Sequence, residues 1–488
     1  MGNSSLKKDA VASLFWKLLE RAGSAVVQLL VQLVMARLLA PEEFGALAIM
    51  LVFVNLGNII VQSGLNTSLV QSPDVTDDDY STVFWMSLTI SITLYLLVFA
   101  SAPLIADFYG INVLVWPLRG LSLILVVNSL NSVQVARVTR ELDFKKIFKA
   151  TVVSVFASAV LGISAAVNGL GLWALVVQQL SYQLVNCLTL HLLINWTPSF
   201  VFLTDRAKMH FKFGWRLLAS GIIDTLYQSL GDLIIGKQFS SSQLGLVSQG
   251  KKYPQAIGGM LDGAIQPVML SSVAKVQADN DKVKSVVRRA LKTSTFLITP
   301  AMALFAVVAP ALVPLLLGEQ WAGSVPFLQA YCVVYAMLPI HTTNLQALNG
   351  VGRSDIFLKL EIVKKTYGTI VLLICAFVLK DVKLLVFSYV LTDLVSTLVN
   401  AWPNRKIIGY SYWEQLSDIL PTTLLTLLAS ALSSVVARWF YDGVPLILLQ
   451  VTVFSAVYFG GALICKVEAF CYIWNTFRNL VINKSQRR

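Results

Sequence analysis

The chain has 488 residues, of which 56% are hydrophobic and only 13% charged, and its mean hydropathy is +0.71. Soluble domains carry about twice that share of charge, which excludes a soluble enzyme on an anchor. The net charge of +12 would suit a nucleic-acid partner, but the basic residues sit in loops between apolar runs and need no nucleic acid to explain them.

The opening MGNSSLKKDA has no short apolar run ending in small residues, so no cleavable signal is expected. About 20 apolar residues cross the hydrocarbon core. That ruler predicts fourteen spanning helices, at 13–37, 44–67, 81–106, 112–136, 147–168, 170–194, 211–236, 243–273, 290–316, 324–348, 357–379, 382–402, 416–438 and 444–466. In the first, Lys17, Arg21, Ser24, Gln28 and Gln32 recur every three or four residues and line one helix face. A charge at mid-bilayer costs about 2.5–3.5 kcal/mol on insertion scales, so this stripe is expected to face other helices or water. The eighth span carries Lys251, Lys252, Pro254 and Pro267 with Gly258, Gly259 and Gly263, which would break it into a hinge. Asp381 separates the eleventh and twelfth. The segment from Glu468 to Arg488 mixes aromatic and basic residues and reads as an interfacial helix.

Scoring alternate loops for Lys and Arg fixes an expected orientation. Thirty fall on the side of the N-terminus and five on the other, so both termini are expected in the cytoplasm.

The first stretch returns about 200 residues later. Trp215, Arg216, Leu217 and Leu218 echo Trp16, Lys17, Leu18 and Leu19, and then Gln228, Lys237 and Gly245 match Gln28, Arg37 and Gly45. Asp224 and Asp232 replace Ser24 and Gln32. Further on, Pro103 and Gly110 correspond to Pro310 and Gly318, and 136–143 to 347–355. A duplicated bundle opening on a polar-striped helix is the pattern of a transporter with a shared cavity. The expected architecture is an all-α membrane protein. It has a six-helix bundle at 1–200, a second at 201–410, two further helices at 411–466 and a basic interfacial tail at 467–488, around a central cavity.

Cys187, Cys332, Cys375, Cys465 and Cys471 are scattered without CxxC spacing and are expected as buried packing residues. His191, His210 and His341 show no ligand spacing. Asp74, Asp77, Asp78 and Asp79 resemble a metal–diphosphate cluster, but beside Thr76 and a helix start they are expected to be solvated and to cap the helix. No metal site or cofactor is expected.

The chain resembles the polysaccharide transporters of the multidrug/oligosaccharidyl-lipid/polysaccharide exporter superfamily, in particular the colanic-acid-exporter-like flippases. The likeness is carried by 36–45 (ARLLAPEEFG), 64–71 (GLNTSLVQ), 140–144 (RELDF) and 316–321 (LLGEQW), in that order and spacing. The resemblance implies two six-helix bundles, alternating access, the bacterial inner membrane, and export of undecaprenyl-diphosphate-linked oligosaccharide for surface polysaccharide biosynthesis. It extends the expected partners to a polymerase and other polysaccharide-assembly proteins.

Carrying a sugar diphosphate across the bilayer needs a wet path with cations. The candidate substrate-binding residues are Lys17, Arg21, Gln28, Arg119, Arg216, Gln228, Lys251 and Lys252, with arginine as a fork and lysine as a point charge for phosphate. Snorkelling to the membrane surface is the competing role for these cations. Asp224, Asp232 and Glu20 are candidates for coupling to an H+ or Na+ gradient or to the membrane potential, with internal ion pairing as the alternative; Asp262, Glu361 and Asp393 also lie within spans. Two other readings stay open: a cation-coupled drug or small-molecule exporter of the same superfamily, and a membrane-embedded polysaccharide polymerase. The absence of a sizeable polar segment for catalytic groups argues against an enzyme.

Overall fold

The computed structural model describes residues 23–24, 26–62, 64–72, 74–436 and 443–485. Among them every regular element is helical and no strand occurs. The helices are α1 (Val26–Leu38), α2 (Pro41–Gln62), α3 (Leu65–Gln71), α4 (Asp77–Tyr109), α5 (Val115–Glu141), α6 (Phe144–Val167), α7 (Leu172–Leu193), α8 (Thr204–Gln238), α9 (Ser241–Val276), α10 (Asn280–Leu317), α11 (Val325–Ala336), α12 (Leu338–Gly350), α13 (Ser354–Leu373), α14 (Val382–Ala401), α15 (Asn404–Ile407), α16 (Tyr412–Val436), α17 (Val444–Ile464) and α18 (Glu468–Ser485).

Among the described residues, 10 helical stretches are long and apolar enough to cross a membrane. The other four predicted spans fall on α1, whose described part is short, and on α7, α8 and α9. Those three have 22, 35 and 36 residues but are interrupted by polar side chains: Gln178, Gln179 and Gln183, then Asp224, Gln228 and Asp232, then Gln249, Lys251 and Lys252.

Side-chain caps fix the starts of some helices. Thr76 caps α4 in a reciprocal box: its hydroxyl accepts from Asp79 N, while the Asp79 carboxylate accepts from Thr76 N at 2.9 Å. Asp381 caps α14 by accepting from Lys383 N and Leu384 N, so the division predicted there is real. The expected break in the eighth span does not occur. α9 runs through Pro254 and Pro267 as one helix, and Gly258 packs its bare Cα against the Tyr335 ring.

The chain divides into two compact units, Met1–Gly245 and Leu246–Arg488. In the first, α6 packs on α7, α4 on α5, and α5 on α2 and α7; α8 lies against α2, α3 and α4. Its core joins Leu69, Tyr80, Phe84, Val133, Leu190 and Trp196. Between these helices, polar pairs replace some apolar contacts: Ser91 with Ser129 at 2.9 Å, Asn131 with Asn186 at 3.0 Å and Gln134 with His191 at 2.6 Å. Such pairs hold helices together where burial of apolar surface gives no drive. In the second unit α10 is the central helix, packed on α11, α12, α16 and α17, and α14 contacts α11, α12 and α13. Large apolar side chains such as Leu97, Leu104, Leu192, Leu424 and Ile464 are exposed, as in a protein whose outside is lipid. Of the cysteines, Cys332 and Cys375 are buried as expected, whereas Cys465 is exposed.

Candidate functional site

Within the first unit α2 and α8 run antiparallel and come close at both ends. At one end Gly236 meets Ile49. There the starts of α2 and α9 also touch reciprocally: a Cβ on Gly45 would lie 1.7 Å from Ser241 O, and one on Gly245 would lie 1.9 Å from Pro41 O. No side chain fits either place, so the two backbones approach as glycine alone permits. At the other end Gly64 meets Gly214, where a Cβ would lie 2.4 Å from Gly214 O.

Between these closures α2 and α8 flank a cavity of about 360 Å³ lined by Asn55, Asn58, Ile59, Gln62, Thr225, Gln228 and Ser229. Asn55, Asn58 and Gln62 share one face of α2, and Thr225, Gln228 and Ser229 one face of α8. Two of the amides are oriented by neighbours. Asn128 Nδ2 donates to Asn58 Oδ1 at 2.8 Å, and Gln228 Nε2 donates to Asp224 Oδ2 at 2.7 Å. Among the described residues, the lining holds no lysine or arginine.

The second unit holds an apolar cavity of about 320 Å³ between α10, α11, α12, α14 and α16. Ala303, Val333, Met337, Leu394, Leu416 and Leu427 form much of its wall, and threonines edge it. Beside it, His341 Nε2 lies 3.1 Å from Asp393 Oδ1, and His341 Nδ1 lies 2.9 Å from Asn400 Nδ2. Thr342 donates to Asp262 from the next position on α12. This cluster joins three helices through groups that can exchange a proton.

The profile of a family described as "Polysaccharide biosynthesis protein" matches residues 34–326. The chain belongs to the polysaccharide biosynthesis protein family. Among similar family proteins, the succinoglycan biosynthesis transport protein ExoT of Rhizobium meliloti is 25% identical over 350 residues, covering 72% of this chain and 71% of its own. The lipopolysaccharide biosynthesis protein WzxC of Escherichia coli is 24% identical over 422 residues, 85% of each chain. Among solved structures, the lipid II flippase MurJ in an inward closed conformation superposes with a TM-score of 0.75 at 13% identity, covering 96% of this chain and 100% of that one. An inward-facing multidrug MATE transporter gives 0.59 at 15% identity, covering 80% and 98%. Family, fold and apolar helices together make the chain a multi-pass membrane protein.

Of the candidate site residues on this polysaccharide biosynthesis protein, Lys17, Glu20 and Arg21 lie outside the described residues. Gln228 lines the α2–α8 cavity, and Asp224 stands behind it. Gln28 is exposed on α1 and Arg216 is exposed on α8, its guanidinium 5.9 Å from the Trp215 ring. Arg119 packs between α4 and α5: its Nε donates to Phe99 O at 3.1 Å, and its guanidinium lies 4.2 Å from the Phe99 ring and 4.8 Å from that of Trp116. Lys251, Lys252 and Asp232 are half-buried on their helices. The amides of α2 were missed by the sequence reading, although Asn55, Asn58 and Gln62 repeat at helical spacing in an apolar run.

Two acid–histidine pairs were also missed. Asp79 is not solvated, as expected from its acidic loop, but buried. Its Oδ1 faces His210 Nε2 at 3.6 Å and Arg206 Nε at 3.5 Å, while Ser68 Oγ lies 2.6 Å from His210 Nδ1. Arg206 and His210 stand one turn apart on α8, which was the available signal, but no local spacing names Asp79 as their partner. Replacing Asp79 with alanine removes the carboxylate half of the α4 capping box and the carboxylate that faces His210 Nε2. A loss of about 2 kcal/mol is expected, read as a lower unfolding temperature in detergent. Asp79→Asn keeps the cap and should lose less; equal unfolding temperatures for all three proteins would refute this assignment.

Proposed function

We propose that the protein moves undecaprenyl-diphosphate-linked oligosaccharide units from the cytoplasmic to the outer leaflet of the bacterial inner membrane by alternating access. The observation that carries this reading is the polar cavity between α2 and α8, set in an apolar helical body and flanked at both ends by glycine contacts. A passage that opens to one side at a time needs two closures around a hydrated middle. The family, and the names of relatives in succinoglycan and teichuronic acid biosynthesis, support glycan cargo.

In this reading fourteen helices span the membrane with both termini cytoplasmic. The internal repeat sets the working halves at 1–200 and 201–410, with 411–466 and 467–488 outside them. The reciprocal contact of 41–45 with 241–245 joins positions at an offset of 200, the offset of the repeat. Lys17, Arg21, Arg119, Arg216, Lys251 and Lys252 offset the diphosphate charge, and Gln28 and Gln228 meet sugar. The apolar cavity of the second unit suits a polyprenyl tail. Asp224, Asp232 and Glu20 carry coupling to an H+ or Na+ gradient or to membrane potential. A polymerase receives the product, and the chain itself performs no bond chemistry.

Proteoliposomes loaded with lipid-linked glycan test this. The wild type should move the glycan headgroup across the bilayer, and Arg21→Ala and Arg216→Ala should stop it while the protein remains inserted. Wild-type rates in both variants would remove these arginines from the site. A wild-type protein that moves no lipid-linked glycan overturns the reading. Rates unchanged after collapse of ion gradients and potential would remove the coupling role of the acids.

A further inference from the structure

We infer that the second unit carries a proton-binding site at a break in one of its apolar helical stretches, where His341 takes up a proton between Asp393 and Asn400 and so tightens the tie of α12 to α14. Binding of the proton stands on the geometry of these side chains; its use in the cycle rests on the transport reading and adds a site to the acids already named for coupling. The stretch Glu319–Gly350 is long and apolar enough to cross a membrane, yet α11 ends at Ala336 and α12 begins at Leu338. Pro339 causes the interruption, because it has no N–H to give to the preceding turn. Ile340 N donates to Met337 O rather than to Ala336 O, and Thr299 of α10 supplies a hydroxyl to Ala336 O at 3.3 Å. Interrupted spanning helices are where transporters build ion sites, and His341 stands about one turn beyond this interruption.

Asp393 and Asn400 share one face of α14, about two turns apart, and the imidazole of His341 reaches both. His341 Nε2 is 3.1 Å from Asp393 Oδ1, and Asn400 Nδ2 donates to His341 Nδ1 at 2.9 Å. An amide nitrogen only donates, so this Nδ1 is bare and the neutral ring carries its hydrogen on Nε2, on the side of the carboxylate. A second proton, taken from water, goes to Nδ1 and needs an acceptor there. Asn400 Oδ1 is buried without a hydrogen-bond partner among the described residues. A half-turn of the carboxamide exchanges Nδ2 for Oδ1 and moves no backbone. The imidazolium then donates on both sides through charge-assisted bonds, which are stronger than neutral ones. The tie between α12 and α14 therefore tightens when the proton arrives and slackens when it leaves.

Other titratable groups surround the pair. α13 brings Tyr367, within reach of the charges of Asp393 and Glu361, while Lys364 pairs with Glu361 at 2.5 Å. α11 brings Tyr335, within reach of Asp393, and α9 brings Asp262, which accepts from Thr342. α10 directs Arg288 and Lys292 to Asp418, and Arg405 and Lys406 of α15 are exposed. A metal ion is the rival occupant, but no group of three or more metal-ligating side chains converges among the described residues; a proton needs only the lone pair of Nδ1. As structure alone the pair is a poor choice, since apolar side chains of similar volume hold helices as well as a buried acid and base.

The test uses the full chain in nanodiscs with isotope-labelled histidine, read by NMR of the ring nitrogens over about pH 5 to 8, the range in which imidazole titrates. The chain has three histidines, and the signals lost in His341→Gln assign the ring. As pH falls, the wild-type ring should pass from hydrogen on Nε2 alone to hydrogen on both nitrogens. Asp393→Asn, which lacks the countercharge, should bind that proton at least about tenfold more weakly. A wild-type ring that keeps one form over the whole range, or equal proton affinity in Asp393→Asn, overturns the site. Glycan movement in proteoliposomes then tests its use. The wild-type rate should show a step at the pH where the ring titrates, and His341→Gln should lose that step. An unchanged step, or loss of rate at every pH alike, overturns the use of the proton in the cycle. A wild type that moves no glycan removes the transport reading, while the ring titration still decides the site.

Discussion

Alanine at Gly45 or Gly245 is expected to lower glycan transport by at least about tenfold while the protein still inserts in the membrane. The added methyl carbon would sit 1.7 Å from Ser241 O in the first case and 1.9 Å from Pro41 O in the second. Both obstacles are backbone, so no rotamer change relieves them, and α2 must move away from the start of α9. Overpacking of this kind costs about 1–3 kcal/mol. Each 1.4 kcal/mol lost from a closed state lowers its population about tenfold, and a carrier that cannot close one end cannot alternate. Gly259→Ala is the control: its added carbon meets no atom within 4 Å, and the change should leave transport unaltered. Transport at the wild-type rate in both Gly45→Ala and Gly245→Ala would show that this contact has no part in the cycle.

The largest expected loss of stability is at Asp418. On α16 its two carboxylate oxygens receive Arg288 Nε at 2.6 Å and Nη2 at 2.7 Å, while Lys292 Nζ lies 2.9 Å away and the Tyr410 hydroxyl donates at 2.8 Å. The Asp418 side chain is only 7% exposed and that of Lys292 13%. Removing the carboxylate leaves a mostly buried ammonium with only Glu468, at 2.6 Å and 77% exposed, to offset it. Breaking a buried pair in this way costs about 3–5 kcal/mol; the half-exposed Arg288 adds little to that, because water screens it. Asp418→Ala should therefore lower the unfolding temperature in detergent clearly, and Asp418→Ala/Lys292→Met should recover part of the loss. A double variant no more stable than the single one would place the effect in the Tyr410 and Arg288 contacts instead.

Some features of the structure were legible residue by residue. Thr76 and Asp79 form the cap that their spacing announces, and Asp381 begins α14 as its place between two apolar runs suggests. Gly45 and Gly245 stood out as matched positions of a repeat, and Gln228 as the match of Gln28, before either had a visible contact. Other features were not legible. Prolines in α9 read as a hinge, yet the helix continues, because a proline costs one hydrogen bond and neighbouring groups can absorb it. Asp79 read as solvated because three other aspartates surround it in sequence, while its burial comes from His210 and Arg206, well over 100 positions away.

The sequence by itself determined that the chain is helical and membrane-spanning, because transfer of an apolar run into lipid and closure of helical hydrogen bonds are local, additive quantities. The tertiary structure alone decided which glycines touch, which acid meets which histidine, and that polar, uncharged side chains of α2 and α8 line one cavity. Those outcomes depend on helices distant in sequence packing against one another, and no periodicity within one helix names the residue it will meet on another.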